Sequence, residues 1–266
     1  MHASPPPLAL IFGPFDPSGS SSLPADVVTC AQLGCHALSA VTGLQVRDTA
    51  TTESIQPVSP ELIDDQARCV LEDMTVQAIK AGTLYTTEAI SVLAQIAADY
   101  SHVPLLLHLT RLPDETLLED TDTEDLLLAT FELLLPQTDI VMVDRLLLEQ
   151  WHSQGLLAAS DAADPIQALL EYGAGWTLAT GITHHSGQNG LLLKGQQGET
   201  VSLQWPALPA RPTDADGPLA CAITAGLARG LQVPDAVRAA AEAAVSITSR
   251  QFRPGMGQRL INRCAP

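Results

Sequence analysis

Short apolar runs of strand length alternate with longer stretches of helical spacing along most of the 266 residues. Leu8-Ala-Leu-Ile-Phe12 predicts a buried strand, Pro24 to Gly34 a helix closed by glycine, and His36 to Gly43 a second strand. Ser59-Pro60-Glu61 has the form of a helix start, with Ser as N-cap and Pro at the first helical position; Leu62, Ile63, Val70 and Leu71 keep helical spacing behind it. Val76 to Ala81 predicts a strand, followed by a helix through Tyr100 and a strand from Val103 to Leu109. Next come an acidic stretch, a Leu-rich helix, the strand Ile140 to Val143, and helices near 145–153 and 164–173. Trp176 to Ala179 closes this parallel series. Leu191 to Lys194, Gln196 to Gly198 and Val201 to Trp205 pattern as a β-hairpin, either a flap or an antiparallel edge. Two Ala-rich helices, roughly 218–229 and 234–251, finish the chain. Strands alternating with helices in this way predict a mostly parallel sheet with helices on both faces, a three-layer α/β/α arrangement.

Length and composition narrow the picture. A chain of this length with 46% hydrophobic residues can fill one sizeable core, so a single domain over 1–266 is expected, with 1–7 as a flexible leading segment. The net charge of −17, with 13 scattered basic residues, argues against nucleic acid and anionic membranes, whose phosphates require clustered Lys and Arg. No apolar run reaches the ~18 residues needed to span a bilayer, and the N-terminus lacks a basic leader. Cys30, Cys35, Cys69, Cys221 and Cys264 are odd in number and have no CxxC spacing, which suits a reducing, cytoplasmic setting. The seven carboxylates between Asp114 and Asp125 lack an interspersed His or turn glycine and pattern as a solvated loop and helix start rather than a metal site.

Two stretches could carry chemistry. In Phe12 to Asp26 a strand runs into a Gly/Ser-rich loop and then a helix, the place where open α/β sheets hold ligands. Asp16 and Asp26 could accept hydrogen bonds from a ligand there, and Ser20 to Ser22 offer hydroxyls; an Asx turn at Asp16 is the plainer alternative. The segment Arg211 to Gly226 has the layout of a phosphate-cradling loop entering a small-residue helix, but Asp214, Asp216 and Pro218 stand where such loops use glycine and a reactive side chain. The neighbouring His184 and His185 pattern as a solvated loop pair.

Asp16-Pro-Ser-Gly19, Ala25-Asp26, Leu33-Gly-Cys-His-Ala37 and Val41-Thr-Gly-Leu-Gln-Val-Arg-Asp-Thr49 resemble the opening of the hydroxymethylpyrimidine/phosphomethylpyrimidine kinases of thiamin biosynthesis, members of the ribokinase-like superfamily. The similarity continues through Ile79-Lys-Ala-Gly-Thr-Leu84, Leu134 to Ile140, the loop at Thr213 and Pro254-Gly-Met-Gly257. It implies a small-molecule acceptor, ATP and Mg2+ as co-reactants, phosphorylation of a pyrimidine hydroxymethyl group or its monophosphate, and a homodimer.

Several positions depart from that pattern. The family's Gly-Thr-Gly-Cys loop corresponds to Ala215-Asp216-Gly217-Pro218, so only Gly217 is kept and Pro218 replaces the active residue. As helix geometry, Asp216 as N-cap ahead of Pro218 remains favourable. The family's Lys-Gly-Gly-His becomes Thr180-Gly-Ile-Thr183, its metal-side Asp becomes His108, and its Glu becomes Leu147; Asp144 is retained as an acidic group. On the pyrimidine side the family's glutamine corresponds to Arg47, with Gln45 on the same strand face, its methionine to Thr83, and Ser21 replaces a small residue, while Asp26 is kept. Arg47 could grip an anion bidentately or pair with Asp48 or Asp26. Cys221 lies one helical turn beyond Pro218, either as a substitute nucleophile or as a buried contact. The expectation is a divergent kinase of weak or absent activity. The alternative is a non-catalytic protein that binds or senses a pyrimidine on the same scaffold.

Overall fold

The structure, a computed structural model, describes residues 5–118, 122–157, 164–183, 189–206 and 212–264. Its centre is a nine-stranded sheet in the order β3-β2-β1-β4-β5-β6-β7-β8-β9. These strands are β1 (Leu8–Phe15), β2 (His36–Arg47), β3 (Thr52–Pro57), β4 (Ala78–Ala81), β5 (Leu105–Leu109), β6 (Ile140–Asp144), β7 (Trp176–Thr183), β8 (Asn189–Gly195) and β9 (Thr200–Gln204). From β2 through β1, β4, β5, β6 and β7 every pairing is parallel. Helices on both faces bury these strands twice over, which is why they are apolar runs rather than alternating patterns.

Eight α-helices flank the sheet among the described residues. On one face lie α2 (Pro60–Asp73), α3 (Thr87–Asp99), α4 (Thr123–Ala129), α5 (Arg145–Ser153) and α6 (Pro165–Glu171). On the other lie α1 (Ser22–Gln32), α7 (Gly217–Ala228) and α8 (Val233–Thr248). Ser59 caps α2 as its sequence predicts, accepting a hydrogen bond from Leu62 N at 3.3 Å, with Pro60 in the first turn. Every residue of α7 is buried, so this helix, rich in glycine and alanine, packs closely on all sides.

The differences from the sequence pattern lie at the sheet edges. β2 continues four residues beyond Gly43 and pairs antiparallel with β3, a strand that the pattern does not announce. Edge strand β3 is polar and largely exposed, with only Ile55 buried, so it carries no apolar alternation to detect. The hairpin β8–β9 is an antiparallel edge of the main sheet rather than a flap. A small separate ribbon, β10 (Gln251–Phe252) with β11 (Leu260–Ile261), folds the C-terminal segment back. Gly257 N and Gln258 N then dock on Thr49, at 3.1 and 2.9 Å. His184, His185 and residues 1–4 of the leading segment lie outside the described residues. In that segment Pro7 is tied down, its carbonyl accepting from His36 N.

Candidate functional site

A cavity of about 840 Å³ opens at the carboxyl ends of β1, β2, β4, β5 and β6, beside the N-terminus of α7. This is the crevice in which open α/β sheets hold their ligands.

One wall is built from β1 and the β2–β3 ribbon. Asp16 does not line the cavity; it forms the Asx turn, accepting from Ser18 N at 2.8 Å and from the hydroxyls of Ser18, Ser20 and Ser21. Burial pushes its carboxyl up, but those donors and Arg47 outweigh it and hold the pKa below the ordinary value. Ser21 lines the cavity with its hydroxyl committed to Asp16. Arg47 also lines it, paired with Asp16 at 3.7 Å rather than with Asp26, and bonded to the Asp48 carbonyl at 3.4 Å. Gln45 Nε2 donates to Tyr85 Oη at 2.8 Å, leaving Gln45 Oε1 buried with no partner among the described residues. Tyr85 stacks onto Gly43, where an added Cβ would come within 2.6 Å of the ring. Burial raises the Tyr85 phenol to about 12, so it stays a hydrogen-bonding hydroxyl. Thr83 faces the same space, 3.1 Å from the Thr110 hydroxyl.

The floor carries a buried ion pair. Lys80 Nζ lies 2.6 Å from Asp26 Oδ2, with both side chains 3–4% exposed. Burial pulls the Lys80 pKa down, but the Asp26 carboxylate overrides it and the pKa is raised. Cys221 does not reach the cavity; its Sγ lies 3.1 Å from Asp26 Oδ1, and burial pushes its thiol up. Here it is a buried contact, without an opening onto the cavity. His108 is held neutral, its pKa lowered to about 3 by burial and then by the Lys80 charge.

The third wall is acidic. Asp144, at the cavity edge, caps α5 by accepting from Leu146 N at 2.9 Å. Thr180 is buried behind this wall and donates to Asp216 Oδ2 at 3.1 Å. The backbone of Asp216 is helical rather than extended, so its carboxylate makes no capping bond, contrary to the N-cap geometry that its sequence suggests. Thr213 lines the cavity and bonds Gln258 Oε1 at 3.1 Å. Asp214 is the further acid here. Its carboxylate packs directly on Gly217, so any Cβ at that first residue of α7 would overlap it. Arg263 Nη2 holds Asp214 Oδ2 at 2.8 Å and is itself anchored to Thr29 Oγ1 at 2.9 Å. Burial lifts the Asp214 carboxyl to about 7; Asp26 and Asp216 add to this, while Arg263 and Lys80 oppose it.

Sequence reasoning thus passed over Lys80, Tyr85 and Arg263 as site residues, and noted Asp214 only as a departure in the loop before α7. Lys80 carried a usable signal: a lone charge inside the apolar run Val76 to Ala81 needs a buried partner. The pairing of Asp214 with Arg263 carried none, because they meet only through the folding of the C-terminal segment.

The family pattern described as phosphomethylpyrimidine kinase matches residues 16–262. The hydroxymethylpyrimidine/phosphomethylpyrimidine kinase of Streptomyces coelicolor is 29% identical over 259 residues, covering 95% of this chain and 92% of its own. Among solved structures, Bacillus subtilis pyridoxal kinase in its ADP complex matches with a TM-score of 0.82 and 18% identity, over 97% of both chains. The phosphomethylpyrimidine kinase of Clostridium difficile 630 gives 0.71 at 19% identity, over 90% of this chain and 98% of its own. At these identities the solved structures speak for the fold, which is ribokinase-like. The match over residues 16–262 speaks for descent: the chain belongs to the phosphomethylpyrimidine kinase family.

Proposed function

We propose that this chain phosphorylates the hydroxymethyl group of a small pyrimidine, or the corresponding monophosphate, from MgATP, and that it does so slowly. The observation that carries this reading is a single cavity joining two unlike walls: hydrogen-bonding groups suited to a flat polar ring (Gln45, Tyr85, Thr83, Arg47), and the N-terminus of α7 with Asp144 beside it. Gln45 Oε1, buried and unpaired, asks for a donor such as a ring amino group. The names of relatives spanning nearly the whole chain support the same acceptor, and the ADP complex of a structural neighbour supports a nucleotide on this fold.

Phosphoryl transfer depends mostly on positioning and charge neutralisation. Mg2+ fits the oxygen donors present: it is commonly held by one or two carboxylates plus substrate phosphates, and Asp144 is a carboxylate at the cavity edge. Bound there, MgATP would supply the phosphoryl group and neutralise its developing charge. The residues of this chain orient the acceptor: Asp16 holds Arg47 and the Ser loop, Gly43 seats Tyr85, and Tyr85 sets Gln45. Pro218 removes one N–H donor from the first turn of α7, and loss of one such donor typically costs 10²–10³ in rate.

The test is ADP release by the purified chain with MgATP and hydroxymethylpyrimidine or its phosphate, alongside thermal shifts with each ligand. Acceptor-dependent ADP supports the kinase reading. Stabilisation by the pyrimidine alone, with no ADP, supports a binding or sensing protein, the reading that the acidic wall and Pro218 favour. No shift with any of them overturns both.

A further inference from the structure

The geometry points to Asp214 as the group that takes the proton from the acceptor hydroxyl, standing in for the reactive side chain that Pro218 displaces from α7. This inference rests on the kinase reading above. In the step it serves, the acceptor O–H bond breaks as the new O–P bond forms. The P–O bond to the departing ADP breaks, the proton passes to an Asp214 carboxylate oxygen, and solvent receives it once product leaves.

The other candidates in or beside the cavity are committed elsewhere. Pro218 has no acid–base group. Cys221 is buried beneath Asp26. Asp26 is locked 2.6 Å from Lys80, and Asp216 accepts the Thr180 hydroxyl. Asp214 differs in that Arg263 engages its Oδ2 alone; among the described residues Oδ1 makes no hydrogen bond, and the side chain lines the cavity.

Its placement is also enforced. Among the described residues, the non-glycine residues with positive φ are Ser22 and Asp214, at 57° and 61°, and both line the cavity. Strained backbone of this kind persists only where the surroundings over-determine it, and it clusters at working sites. Asp214 is over-determined by Gly217 beneath its carboxylate and Arg263 beside it, while Arg263 reaches back to Thr29 of α1.

Asp214 lies within electrostatic reach of Asp26 and Lys80 on the floor and of Asp216 on the acidic wall, so it stands where the two walls meet. The charged groups facing it are Arg263 from the C-terminal segment, Asp26 from α1, Lys80 from β4 and Asp216 at the start of α7. Together with burial they hold its carboxyl near neutrality, where a general base is most effective.

The experiment compares wild type with Asp214→Asn and Arg263→Met, using MgATP and hydroxymethylpyrimidine over pH 5.5–9. The expected result for Asp214→Asn is a fall in kcat of roughly 10²–10³-fold, with the acceptor KM within about threefold and the pyrimidine thermal shift retained. Wild-type kcat/KM should rise with pH around neutrality, and that limb should vanish in Asp214→Asn. In Arg263→Met, which keeps the carboxylate but removes its cation, the limb should move to higher pH. A merely structural Asp214 would leave the limb unmoved. Turnover in Asp214→Asn within threefold of wild type, or an unmoved limb in Arg263→Met, overturns the assignment while leaving the kinase reading intact. Wild type that binds the pyrimidine but forms no ADP overturns the kinase reading, and the base assignment with it.

Discussion

The two walls of the cavity solve opposite problems. On the acceptor wall Asp16 has five hydrogen bonds from Ser18, Ser20 and Ser21 as well as Arg47, and on the floor Lys80 has Asp26. On the phosphoryl wall Asp144, Asp214 and Asp216 gather beside a helix start from which Pro218 has removed a donor. A paired wall can recognise shape without answering to solution conditions. A wall whose buried carboxyl stands near neutrality takes up and releases a proton as the pH changes.

The sharpest test of this contrast is Lys80→Met. It leaves the Asp26 carboxylate buried and unpaired, and breaking a buried pair on one side typically costs 3–5 kcal/mol. Denaturant unfolding should register most of that loss, with a cost below 1 kcal/mol for removing the half-exposed Arg68–Asp64 pair of α2 as the control. A small effect at Lys80 would mean that the floor is wetter than the structure has it.

The second test uses pH. Because its folded pKa is about 7, Asp214 keeps a proton in the folded protein that the unfolded chain releases near pH 4. Its contribution to stability is therefore fully present below about pH 4, is lost as pH rises toward 7, and is flat above that. His108 runs the other way: with a folded pKa of about 3, its contribution is present above its unfolded value and lost as pH falls from about 6.5 to 3. Unfolding measured at pH 4.5, 6 and 8 in wild type and Asp214→Asn isolates the Asp214 share. The gap between the two proteins should close by a few kcal/mol as pH rises; a constant gap would contradict the buried environment assigned to this carboxyl.

How far the sequence could be read follows the same divide. Strands buried on both faces announce themselves as apolar runs, so β1, β4, β5, β6 and β7 were legible within a few residues. Edge strand β3 was not, because its polar residues face solvent on both sides. Ser21, Asp26, Gln45, Arg47 and Thr83 could be picked out through their correspondence with the family pattern, and all of them line the cavity. The pairing of Asp214 with Arg263 could not. They are 49 residues apart, and their contact depends on the β10–β11 ribbon and on Thr49 docking the turn between them. Asp216 misled for a subtler reason: capping requires an extended backbone, and no residue pattern revealed that its φ and ψ are helical.

Gly217→Ala probes how closely the Asp214 carboxylate sits on α7. The new methyl would overlap that carboxylate, so a loss of roughly 1–3 kcal/mol is expected from overpacking. Combining it with Asp214→Ala removes the obstacle, and the double variant should be more stable than the two single costs add up to. Strict additivity would place the carboxylate away from the helix start.

The smallest effect belongs to the acceptor wall and tests whether it is as self-contained as its pairing suggests. Tyr85→Phe removes the acceptor of the Gln45 Nε2 hydrogen bond without disturbing the ring's packing on Gly43. The amide already has its Oε1 buried and unpaired, so the variant leaves both ends unsatisfied. Stability should fall by about 1 kcal/mol, since an unmatched buried polar group costs ~1–3 kcal/mol and this partly buried amide can turn toward the cavity. The acceptor KM should rise severalfold while kcat holds, because orientation of the ring is lost but the phosphoryl wall is untouched. A fall in kcat with unchanged KM would mean that the two walls are coupled, and that Tyr85 steers the hydroxyl toward Asp214 rather than merely holding the ring.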